Sequence, residues 1–81
     1  MTNRTRCITH VTAGTHFNNG DGAFVAATDA APDHVDSQLV LMAVRVVSPW
    51  DGTLAVNPVL YKADKTQHVE VLPDYVPPRT I

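Results

Sequence analysis

The run QLVLMAVRVV, Gln38 to Val47, constrains this chain more than any other segment, because neither of its faces is polar enough to meet water. Read with a period of two, Val40, Met42, Val44 and Val46 form one face and Leu39, Leu41, Ala43, Arg45 and Val47 the other. Both faces call for cover, which suits a central strand. A short helix capped by Asp36 or Ser37 is the alternative, since periodicity alone does not separate a buried strand from a buried helix. The stiff β-branched valines at 40, 44, 46 and 47 favour the strand.

Strands on either side follow from turn chemistry. NNGDG, Asn18 to Gly22, holds an Asn-Gly and an Asp-Gly pair, the residues a tight hairpin turn needs. It separates a β-branched stretch, Arg6 to Phe17 with Ile8, Val11 and Phe17 as anchors and Gly14 as a bulge, from a return strand Ala23 to Thr28. The cluster from Asp29 to Asp33 ends that strand. A second turn, Ser48-Pro49-Trp50-Asp51-Gly52, leads into TLAVNPVLY, where Leu54 and Val56 share a face until Asn57-Pro58 interrupts the ladder. After a turn at Lys62 to Lys65, TQHVEVL from Thr66 to Leu72 alternates, with Val69 and Val71 inward and His68 and Glu70 outward.

The sequence therefore predicts an all-β chain: a small five-stranded antiparallel meander or barrel with extended N- and C-terminal arms. It reads as a single β domain over residues 1–81, with an N-terminal arm at 1–5, the sheet at 6–72 and a Pro-rich C-terminal arm at 73–81. Composition agrees, with twelve Val, nine Thr and nine Ala against one Glu and two Lys.

Charge narrows the function. A net charge of −2 provides no basic field for nucleic acid or an anionic membrane. No apolar run reaches the ~20 residues of a membrane span or follows the start as a signal-peptide core would. The lone Cys7 cannot close an intramolecular disulfide, and the histidines lack structural-zinc spacing. At 81 residues the core is small. Apolar burial worth ~120 kcal/mol stands against ~120 kcal/mol of ordering entropy, so a covering partner surface is expected.

Candidate chemistry is sparse. His10, His16, His34 and His68 sit at no metal-binding spacing, although pairing of the first and last strands would make His10 and His68 neighbours. Asp29, Asp33 and Asp36 form an acidic turn without the order of a calcium loop, and they already serve as caps and turn formers. Cys7 on a strand reads as a small buried hydrophobe rather than a nucleophile. With no nucleophile elbow and no carboxylate pair, the sequence predicts no enzyme, no cofactor and no metal. Partner-binding residues are the better candidates: Trp50 at a hairpin tip, which either anchors a partner or caps the barrel end, and Tyr75, Val76 and Ile81 in the arm PDYVPPRTI, apolar groups that a solvated tail has no reason to carry and that either fold back onto their own sheet or lie on a neighbouring subunit. Two other readings remain open. One is a carbohydrate-binding β-module using Trp50 with Asn18, Asn19 and Asp51, and the other a metal-dependent enzyme using the histidines.

In its short Thr-rich start, its Val/Ala/Thr sheet and its extended PDYVPPRTI, the chain resembles the small accessory subunits of tailed-phage virions, such as capsid decoration proteins. That resemblance implies a non-catalytic structural protein, oligomeric or bound in an assembly, whose partners are protein subunits of the same or a neighbouring chain. It implies a virion location; without it the expected location is cytoplasmic.

Overall fold

The computed structural model describes residues 4–73 and Tyr75. Seven strands lie among them: β1 (Thr5–Cys7), β2 (His16–Asn18), β3 (Ala23–Ala26), β4 (Ala31–Pro32), β5 (Leu39–Val47), β6 (Val59–Asp64) and β7 (His68–Val71). All join one sheet, ordered β1-β7-β2-β3-β5-β4 with β6 on β5, and every pairing is antiparallel. The result is a curled half-barrel with almost no helix. No helix among the described residues is long and apolar enough to cross a membrane.

The apolar run forms the central strand. Val40 pairs with both Pro32 and Ala63, and Val44 with both Ala26 and Val59, so β3 and β4 share one edge of β5 and β6 holds the other. Val40, Met42 and Val44 point into the core, whereas Leu39, Leu41 and Ala43 are only half-buried and Arg45 and Val46 are exposed. The expectation that both faces are mostly buried is corrected here: one sheet curls over its inner face, and among the described residues no second layer covers the outer one.

Ile8, Val11, Phe17, Ala26, Ala63 and Val69 complete the core. An aromatic trio adds to it. Phe17, Phe24 and Tyr61 pack mutually at 5.4–5.6 Å between ring centroids, with Tyr61 edge-on to both phenylalanines. Such tilted and edge-on contacts match ring quadrupoles, and the phenol keeps a polar partner. Tyr61 Oη accepts from Asn19 Nδ2 at 3.1 Å and Gln67 Nε2 at 3.2 Å, tying β6 to the β2–β3 turn and to the start of β7.

The five-strand meander is corrected to seven strands with non-sequential neighbours, since β7 lies between β1 and β2. The strand expected over Arg6 to Phe17 divides. Ile8 and Val11 are both buried at a spacing of three, which strict alternation forbids, and a single 3-10 turn at Ile8–His10 reconciles them, with Val11 N–H donating to Ile8 O. Gly14 sits in a second turn at φ +90 instead of a bulge. Thr5, assigned to the arm by sequence, pairs with Glu70; residues 1–3 lie outside the described residues. TLAVNPVLY keeps only a bridge between Leu54 and Val47 before β6 begins at Val59. The expected turn at Lys62 moves to Lys65 and Thr66 because Ala63 is drawn into the core opposite Val40.

Candidate functional site

Between Trp50 and Leu60 the protein shows its largest concentration of exposed apolar side chains: Trp50 is 92% exposed, Val56 86%, Leu60 70% and Val59 50%. Apart from Asp51, the segment also lacks charge. From Gly52 to Tyr61 the sequence GTLAVNPVLY carries no ionisable group except the phenol. Partner surfaces are likewise depleted in charge at their centres and anchored by aromatics.

Local chemistry fixes the loop that presents Trp50. Ser48 N–H donates to Thr53 O at 2.8 Å and Gly52 N–H to Ser48 O at 2.9 Å, closing the turn around Gly52 at φ +74. Trp50 N–H donates to Ser48 Oγ at 3.3 Å. Asp51 Oδ1 accepts from Thr53 N at 3.0 Å and Thr53 Oγ1 at 2.8 Å. Those two donors hold the Asp51 carboxyl below the usual carboxylate range. Tyr75 then donates its hydroxyl to Gly52 O at 2.6 Å. The tryptophan is thus held out by an ordered loop, which lowers the entropy lost on binding.

β6 adds a second property. It pairs with β5 on one side, and among the described residues nothing pairs with its other side. An unpaired strand edge beside apolar groups is a template for another chain.

The sequence-predicted residues fall differently. Trp50 is exposed as a partner anchor must be. Tyr75 is half-buried within its own chain, edge-on to His16 at 5.8 Å, where His16 Nδ1 donates to Pro73 O at 2.9 Å. Val76 and Ile81 lie outside the described residues. Sequence reading missed Val59 and Leu60 and placed Val56 on a strand face. The usable signal was the Asn57-Pro58 break inside an uncharged stretch, which frees the flanking apolar residues from the sheet interior.

The remaining candidates do not converge. β1 and β7 do pair, yet His68 stands opposite Cys7 and not beside His10. Among the described residues no three of His, Cys, Asp and Glu come together to hold a metal. Cys7 Sγ donates to Lys65 O and accepts from Thr9 Oγ1, both at 3.2 Å; the Thr9 contacts, hydroxyl first, draw the thiol below its ordinary value. His68 Nδ1 donates to Thr66 O and makes no bond to that sulfur. The polar groups of the carbohydrate reading are engaged in their own turns: Asn18 Oδ1 accepts Gly20 N–H, and Asn19 Oδ1 accepts those of Asp21 and Gly22. Comparison of the chain with family models, with curated proteins and with solved structures finds no match.

Proposed function

We propose that this chain is a non-catalytic interaction subunit whose apolar stretch from Trp50 to Leu60 is covered by a neighbouring protein subunit, copies of the same chain included, in a larger assembly. The 92% exposure of Trp50 on a loop pinned by its own hydrogen bonds carries the reading. Leaving so large an apolar ring in water forgoes about 1.5–3 kcal/mol that burial would return, and a rigid loop keeps it from folding back. The sequence character resembling virion accessory proteins makes a phage particle the assembly of choice, with this subunit bridging capsid neighbours without chemistry. Sedimentation velocity of the purified chain up to about 1 mM, where contacts worth about 4 kcal/mol populate a complex, tests it. The expected result is concentration-dependent association, accompanied by a blue shift of Trp50 emission and abolished by Trp50→Ser with Leu60→Ser. A monomer throughout, with unchanged emission, would remove copies of the same chain as the cover.

A further inference from the structure

The edge of the sheet remote from β6 has the opposite character. Arg4 and Arg6 stand two residues apart on the β1 segment and so share one face, opposite Val71 and Val69. On the β7 side of β1 they line a mostly polar cleft of about 510 Å³, whose other walls are the Thr12–Thr15 loop, His16 and Val71–Pro73. Two of the four arginines of a chain with net charge −2 therefore meet in one place. No carboxylate lies in those walls among the described residues. Glu70 pairs with Thr5, on the other face, and Asp29, which touches the loop, is engaged by Ala13 N–H at 2.7 Å.

The donors available decide the ligand class. Backbone N–H groups that would make a phosphate cradle are already bound: Ala13 to Asp29, Gly14 to Ala26 O and Thr15 to Thr12 O. Beside the Thr12 and Thr15 hydroxyls, 3.4 Å apart, and the unpartnered Nε2 of His16, an acceptor while Nδ1 donates to Pro73 O, what remains is a pair of guanidinium forks, suited to bidentate carboxylate pairing, at the i, i+2 repeat of a strand. β1 pairs only with β7 among the described residues, leaving its outer edge open. The geometry points to an extended acidic segment of a partner protein, with carboxylates at alternate positions, adding as a strand to β1 and seating its carboxylates on Arg4 and Arg6. This deepens the interaction reading, resting on it for the existence of a protein partner while using a different surface.

The probe is the blocked peptide TEVET, with TQVQT as its neutral counterpart, titrated into the whole chain at low salt and followed by backbone amide shifts. The expected result is movement of the Thr5, Arg6 and Cys7 amides, with binding about tenfold weaker for TQVQT and for the Arg4→Ala, Arg6→Ala double variant, as two exposed ion pairs permit. Both arginines are exposed, so the variant folds, checked by an unchanged melting temperature. Asp74 follows Pro73 in sequence and lies outside the described residues, so the titration is repeated in Asp74→Asn to remove an internal competitor. Equal binding of the two peptides, indifference to the double variant, inorganic phosphate binding as well as TEVET, or no binding to either wild type or Asp74→Asn would each overturn it. Trp50→Ser leaves TEVET binding unchanged, which separates failure here from failure of the association reading.

Discussion

Two Asp-Gly turns leave the same end of the sheet, since Ala23 pairs with both Asn18 and Val47, and they come to opposite ends. At residues 18–22 the strands on both sides are regular, and the aromatics that flank the turn, Phe17 and Phe24, face inward at 5.6 Å from each other. At residues 48–52 the turn is equally well bonded, yet the returning chain keeps one bridge, bends at Val56 and Asn57, and leaves Trp50 in water. Turn residues determine that a chain reverses. The residues of the returning chain determine whether the aromatic at the turn becomes core or surface: AFVA continues a ladder, whereas TLAVNP loses an amide donor and a strand face.

The comparison breaks most sharply on its two aromatics. Phe17→Ala removes a fully buried ring from the trio and is expected to cost about 3–5 kcal/mol, a large share of the stability of so small a domain. Trp50→Ala is expected to change stability by no more than about 0.5 kcal/mol. Guanidinium unfolding midpoints measure both, and comparable losses would mean that Trp50 is part of the core.

Glycine and asparagine sharpen it next. A methyl group at Gly20 or Gly52 meets nothing within 4 Å, so alanine there costs only the left-handed backbone, about 1–2 kcal/mol at each, and nearly the same at both. Asn19→Ala goes further on the first turn, because its side chain accepts from Asp21 and Gly22 and donates to Tyr61. Its expected cost is about 1–3 kcal/mol, and a double-mutant cycle with Tyr61→Phe should show coupling of at least about 0.5 kcal/mol. Zero coupling would detach the turn from the aromatic trio.

The parts legible in sequence are those governed by local chemistry: the all-β class, β5 as a central strand, the residue 18–22 hairpin, and β7 with Val69 inside. Pairings set by distant residues were not. Strands of three residues, such as β1 and β2, carry too few side chains to declare an alternation, and the insertion of β7 between them depends on contacts some sixty residues away, such as Arg6 with Val69. Ile8 and Val11 did hold a local clue in their odd spacing. At the candidate site the turn that holds Trp50 was legible but its exposure was not, since a turn tryptophan can as well cap the sheet, and the exposure of Leu60 was not legible either: it arises from β6 lying at an edge among the described residues, a property of the whole sheet.

The smallest predicted effect separates the two turns by chemistry. Asn19 organises the first turn with a neutral amide, while Asp51 does the corresponding work in the second with a carboxylate that accepts from Thr53. Because those bonds favour the charged form, the folded Asp51 titrates below the ordinary aspartate value of about 3.9. A group depressed on folding contributes stability fully above its unfolded value and loses it as pH falls through the folded one. Acid therefore loosens the Trp50 loop and not the residue 18–22 turn. Carboxyl carbon shifts followed from pH 6 to 2 (roughly the span of that titration) should give an Asp51 midpoint below the ordinary value, returning towards it in Thr53→Ala. Exchange of the Thr53 amide should quicken in acid relative to base-catalysed expectation, while that of Gly22, held by Asn19, keeps its protection. An Asp51 midpoint indifferent to Thr53→Ala would leave the two turns chemically alike, and the outward Trp50 would then rest on the broken return strand alone.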